Sequence, residues 1–268
     1  ETRDSAKPLL PWLKQLFRSG GDHYPRLVAL AIVYGCLVGY GVVMWRLSAV
    51  LFPGDPAMHY FSPCFALLAL PAFSWPFQYL YDFSTLLLSA GCFYFMLTQR
   101  LRAYVFCFFL ACLNKETAVL IAVLFALWFY GRLPRRAYGA YLLAQAAIFV
   151  AVKVAVTYLY MDNPGGIFES HTAAVLKSDI FTKPNSFRLI AVCGLFFLLT
   201  YRFREKPLFA RYALWFVPFW VAAYILFGNP GEYRICFDML PLLTLLATHT
   251  LIETTGVSKA SWFQKDAA

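Results

Sequence analysis

The sequence predicts an all-α protein, a polytopic transmembrane helical bundle of about nine spans. Three observations carry this. Of 268 residues, 61% are apolar and only 14% charged, with mean hydropathy +0.61, more apolar surface than a water-soluble domain of this size can bury. The apolar residues come in runs of about 12 to 25 that lack the period-two alternation of a barrel strand, so they are helices that satisfy their own backbone in lipid. The charged residues, finally, lie almost entirely between the runs. The same figures exclude a soluble enzyme and a disordered chain, while 15 Gly and 7 Cys in so long a chain exclude a collagen-like repeat and a disulfide scaffold.

The elements follow in order. Residues 1–26 read as an outer-face interfacial segment, because Pro8 to Arg18 alternates apolar and basic residues at helical spacing. The bundle occupies 27–253, with spans expected at 27–46, 57–75, 81–98, 103–113, 117–131, 137–160, 187–201, 208–228 and 235–252, and 254–268 forms a cytoplasmic tail. The fourth and fifth runs are too short for a hydrocarbon core of about 30 Å at 1.5 Å per residue. They are expected to meet at a turn within the protein, Asn114-Lys115-Glu116-Thr117. The one long connection, 161–186, is rich in turn formers, and no internal repeat is visible.

Alternating spans sort the connections into two sets. One, which includes Arg100, Arg102, Arg132, Arg135, Arg136, Arg202, Arg204 and Lys206, holds twelve Lys and Arg against four Asp and Glu. The other holds ten against ten, with Lys153 left inside a span. The positive-inside rule makes the first set cytoplasmic. The chain's net charge of +9 is then an anchoring signal and does not imply nucleic-acid binding. This orientation places the basic amino-terminal segment outside, which an upstream span would explain.

The seven cysteines fall in or at the ends of apolar runs, where thiols behave as small hydrophobes, and the four histidines are scattered. Neither disulfides nor a metal site is expected. The outer set instead concentrates mixed charge at helix ends: Tyr79-Leu80-Tyr81-Asp82, Asn114-Lys115-Glu116, and Gly231-Glu232-Tyr233-Arg234 with Asp238 one turn into the last span. Charges at membrane depth face a cavity or each other. Each also has a plainer reading: Lys115 and Glu116 as a paired polar turn capping the next helix, Arg234 and Asp238 as an i, i+4 surface pair, Asp82 as an N-cap, and Lys153 as a side chain that snorkels outward.

Together these pieces resemble a family. A YxYD element before a span, a short helix ending in Asn-Lys-Glu-Thr that turns into another short helix, and a Glu-x-Arg lead into a final Pro-containing span are similar to the integral-membrane glycosyltransferases of the GT-C superfamily. The likeness is to bacterial membrane proteins related to the dolichyl-phosphate-mannose-type and aminoarabinose-type transferases, and it covers about residues 8 to 250. It implies a multi-pass protein of the bacterial inner membrane with a periplasmic active face. Its donor would be a sugar on a polyprenyl phosphate, and a divalent cation is the one cofactor it admits.

By the same resemblance Lys115 contacts the donor phosphate. Arg234, at a neighbouring helix end, has the planar fork of donors to clamp the same phosphate, and Glu116 and Glu232 are placed to orient the two cations. The family's acid follows the first span, and this chain begins at or beyond that point. Asp4 is the nearest candidate from that region, without a supporting motif, and Asp82 is the other candidate catalytic acid. The alternative expectation is a non-catalytic GT-C-like scaffold subunit of a membrane protein complex. A transporter is the third, weakened by the missing repeat symmetry and by the lack of paired broken helices.

Overall fold

The computed structural model describes residues 23–71, 80–161, 172–177, 186–227 and 237–257. The interfacial helix expected over 8–18, most of the 161–186 connection, Asp4, Glu232, Arg234 and the tail beyond 257 lie outside the described residues. Among the described residues the chain is all-α. The helices are α1 His23–Leu51, α2 Pro56–Leu68, α3 Leu80–Leu97, α4 Leu101–Asn114, α5 Val119–Phe129, α6 Arg135–Leu159, a five-residue α7 Thr172–Leu176, α8 Ser186–Thr200, α9 Leu208–Phe227 and α10 Leu240–Thr255. Single 3-10 turns, Glu116–Ala118 and Phe203–Glu205, precede α5 and α9.

Three stretches are long and apolar enough to cross a membrane, Leu27–Leu51, Arg135–Leu159 and Leu208–Leu226. Their surfaces support that reading. Leu30, Tyr34, Leu143, Val154, Leu159 and Trp215 are all exposed on them, an outward apolar display that a water-soluble monomer does not carry. A multi-span membrane protein accounts for it.

Two helices depart from the expected spans. α1 begins at His23, so the last residues of the expected interfacial segment belong to it, and it continues past Arg46 to Leu51. Arg46 is exposed there and can carry its charge along the helix toward the interface. α2 runs to Leu68, and helix resumes at Leu70 and Pro71 after a one-residue turn at Ala69, because Pro71 has no N–H to give the carbonyl of Leu67 and its ring would clash with that carbonyl. At the other end Asp55 caps α2, its Oδ1 accepting from the N–H groups of Ala57 at 3.0 Å and Met58 at 3.3 Å, with Pro56 preset for the first turn.

The core gathers around α10, which is buried along nearly its whole length and touches α2, α3, α8 and α9. α1 packs on α2 and α3, and α3 on α4. Tyr40, Met44, Phe93, Tyr104, Phe108, Phe125 and Phe209 fill the interior. The approach of α3 and α4 is close at Gly91, where a Cβ would sit 3.1 Å from Cys107 Sγ, the small-residue contact that lets membrane helices meet. The rings of Tyr104 on α4 and Phe125 on α5 stack at 4.9 Å, which brings the start of α4 to the later turns of α5. Tyr104 Oη donates to buried Gln145 Oε1 on α6 at 2.7 Å, and Gln145 Nε2 donates to Tyr141 O at 3.0 Å.

The alternation of connections follows from this packing. One end of the bundle holds the start of α3, the end of α4, the start of α10 and the last turns of α6. The opposite end holds the α1–α2 and α8–α9 turns, the starts of α4 and α6, and the end of α10. There Arg202, in left-handed backbone at φ 48, pairs with Glu205 and Glu253, each at 3.1 Å. Beside it Lys206 is buried and donates to Leu246 O at 3.0 Å and Thr250 Oγ1 at 2.8 Å. Burial lowers its ammonium from 10.5 to about 8.

Candidate functional site

The site is built at the first of these ends, around the turn between α4 and α5. α4 stops because Lys115 adopts extended backbone, φ −156 and ψ 140, and the chain re-enters helix through the turn Glu116–Ala118. Asn114 pins this corner to the start of α3. Its Nδ2 donates to Tyr81 O at 3.0 Å and Thr85 Oγ1 at 2.8 Å, while its Oδ1 accepts from Ser84 Oγ at 2.5 Å. A single amide thus ties the end of α4 to the start of α3, adding a directional contact to the packing at Gly91 and Cys107.

Lys115 and Glu116 do not pair as a cap. Neither the 3-10 turn nor α5 has a side-chain cap. Instead Glu116 forms an ion pair with Lys153 of α6, the residue expected only to snorkel outward; the last turns of α6 lie against the corner, so its ammonium meets a carboxylate at the exposed surface. Thr117 Oγ1 donates to Asp238 Oδ2 at 2.5 Å. Asp238 is buried just ahead of α10, and both Lys115 and Asp82 lie within electrostatic range of it.

Asp82 falls in the first turn of α3, two residues inside the helix rather than at a cap, and is buried at 2% exposure. That burial separates it from an ordinary surface cap, whose carboxylate faces water. At this corner Lys115 and Glu116 adjoin Lys153, Thr117 and Asp238, and Asp82 lies within electrostatic range of Asp238. Asp4, Glu232 and Arg234 fall outside the described residues.

A cleft of about 190 Å³ opens beside the turn. The end of α4 and its turn, from Cys112 to Glu116, line one side of it, and Phe149, Val152, Lys153 and Val156 of α6 line the other. Charged and apolar side chains thus stand next to one another on both sides.

No family model matches the chain, and no curated protein or solved structure matches it. The chemistry therefore rests on the side chains. An ammonium beside a partly desolvated cleft can hold a phosphate and stabilise charge that grows on it. A buried carboxylate close by can accept a proton. A divalent cation fits the described residues poorly, since no three His, Cys, Asp or Glu side chains gather among them, and Lys115 already stands by Asp238.

Proposed function

We propose that the chain is a membrane glycosyltransferase with a GT-C-like bundle of about nine spans, taking a polyprenyl-phosphate-linked sugar as donor and acting on the periplasmic or luminal face. The observation that carries this reading is a cleft that sets the ammonium groups of Lys115 and Lys153 beside the apolar side chains of Phe149, Val152 and Val156. In this reading the phosphate sits by Lys115, with Lys153 turning to it from its ion pair with Glu116, and the isoprenoid chain lies along Phe149, Val152 and Val156 and continues into lipid. In the reaction the acceptor oxygen bonds to the anomeric carbon as the bond from that carbon to the phosphate oxygen breaks. The leaving polyprenyl phosphate gains charge, which Lys115 stabilises, and the acceptor's proton passes to a carboxylate, for which Asp82 is the buried candidate. Arg234 and Glu232 complete the phosphate site in this reading, and Asp4 is the second candidate acid.

Binding of farnesyl phosphate, a short polyprenyl phosphate, to the purified protein tests the reading without knowledge of the sugar. Farnesyl phosphate is expected to bind, farnesol to bind far more weakly, and Lys115→Ala and Arg234→Ala each to weaken the phosphate ligand about tenfold or more while still inserting in the membrane. Equal binding of the alcohol and the phosphate, or unchanged binding by both variants, overturns it.

The second reading, a non-catalytic scaffold subunit, is favoured by one observation. Asn114 spends both its amide groups on α3 and Glu116 is paired with Lys153, so much of the polar corner holds helices together without any ligand.

A further inference from the structure

The opposite end of the bundle carries a second groove, of about 320 Å³, lined by Arg102 and Val105 of α4 and by Ala140, Tyr141 and Ala144 of α6. It lies far from the cleft at Lys115 and is independent of the glycosyltransferase reading. We propose that this groove binds an anionic glycerophospholipid, its phosphate held by Arg102 and Arg136 and one acyl chain lying along Val105, Ala140 and Ala144.

Helical spacing aligns the parts. Arg136, Ala140 and Ala144 are four apart and share one face of α6. Arg102 and Val105 are three apart and share the facing side of α4. Small side chains on α6 leave the space that an acyl chain needs, and the arginines stand at the end of the groove where both helices begin.

The charge is unbalanced in the sense that this ligand requires. Arg100, Arg102, Arg135 and Arg136 are all exposed, and none of them forms an ion pair among the described residues. Arg132, by contrast, is already occupied, its guanidinium 3.5 Å from the Trp128 ring centroid. No Asp or Glu lies between Asp82 and Glu116, or from there to Asp162, so no carboxylate on α4 or α6 answers these charges locally. α6 also begins just after Pro134 with no side-chain cap and no acidic residue in its first turn, leaving its first N–H groups and positive dipole end directed at the same headgroup. Basic pockets between helices at a cytoplasmic membrane face are suited to anionic lipid headgroups.

The test uses the full chain in nanodiscs of equal phosphatidylglycerol and phosphatidylcholine, with retained lipid counted by native mass spectrometry after release. The unmodified protein is expected to retain phosphatidylglycerol over phosphatidylcholine by about tenfold or more, since each basic side chain near a membrane surface contributes about 1 kcal/mol toward an anionic lipid. Arg102→Gln with Arg136→Gln, both exposed and thus compatible with folding, should bring the ratio close to one. Ala144→Phe, which fills the groove and leaves the charge intact, should do the same. Arg100→Gln with Arg135→Gln removes equal charge away from the groove and should keep most of the preference. Equal retention of the two lipids by the unmodified protein overturns the proposal. So does an equal loss from either arginine pair, which would mean diffuse surface attraction, or an unchanged preference in Ala144→Phe.

Discussion

Thr117 Oγ1 and Asp238 Oδ2 lie 2.5 Å apart, and their hydrogen bond joins residues 121 positions apart in the chain. It fastens the turn between the two short helices to the head of the most buried helix. Because Asp238 is buried, Thr117→Val leaves a carboxylate without a donor that it has in the folded protein. The expected cost is about 1.5 to 3 kcal/mol, the range for a hydrogen bond to a charged group, read as a lower unfolding midpoint in mixed micelles of detergent and SDS. Thr117→Ser should restore most of it. If Thr117→Val unfolds at the unmodified midpoint, the bond is not holding the corner.

The neighbouring ion pair should behave differently. Glu116 is 68% exposed and Lys153 31%, so solvent screens their attraction. A double-mutant cycle with Glu116→Gln and Lys153→Met is expected to give a coupling of at most about 1 kcal/mol, smaller at high salt. Coupling of several kcal/mol would mean that the pair is shielded by lipid or by the rest of the protein.

Tyr104 and Gln145 provide a third test, inside the bundle. Tyr104→Phe strands the buried Gln145 Oε1 and should cost about 1 to 3 kcal/mol. Adding Gln145→Leu removes the stranded group, so the double variant should recover much of the loss. If the double variant is as unstable as the sum of two single losses, packing rather than the hydrogen bond holds α4 to α6.

How far these features were legible in the sequence depends on the distance over which they are encoded. α6, Arg135–Leu159, and α9, Leu208–Phe227, match the apolar runs 137–160 and 208–228 because a lipid-facing helix writes its length directly as hydropathy. The corner at Asn114 to Thr117 was legible for the same reason, as a polar break between runs too short to cross. The limits of α1 and α2 were not, since an arginine that lies along the helix surface and a proline that interrupts a helix do not alter average hydropathy enough to mark them. In the sequence Lys153 and Asp238 show only their local surroundings. Their partners, Glu116 and Thr117, are set by which turn of α6 and of α10 faces the corner, a register that emerges from packing around α10 and Asn114.

Lys206 makes a prediction about pH. In the folded chain its ammonium is lowered to about 8 from the ordinary 10.5, since burial disfavours the charged form. Between those values the unfolded chain holds a proton that the folded chain has released, so this group makes stability rise with pH from about 8 to 10.5. Below about 8 both states hold the proton and the group's contribution stops changing. Thermal unfolding in detergent from pH 7 to 11, compared with Lys206→Met, isolates the effect because the other titrating groups are common to both proteins. The midpoint difference should shift in favour of the unmodified protein as pH rises through this window; a flat difference would mean that Lys206 is hydrated in the folded state.

The last prediction concerns which way the bundle faces. α9 has 20 residues and so a length of about 30 Å, the thickness of a hydrocarbon core. Thr172, at the start of α7, donates to Leu226 O near the end of α9 at 3.3 Å, whereas Arg204 lies in the 3-10 turn just before α9 begins. The two segments therefore stand at opposite ends of a membrane-length helix. Arg204 shares its end with the connections that hold twelve basic residues against four acidic ones, which the positive-inside rule places in the cytoplasm. In a cysteine-free background, Lys177→Cys, at an exposed position beside α7, should react with a membrane-impermeant maleimide in intact cells, and Arg204→Cys only after permeabilisation. The reverse pattern would turn the protein over and move the Lys115 cleft to the cytoplasmic face. Labelling of both positions from one side would break the alternation itself, and with it the assignment of α9 as a span.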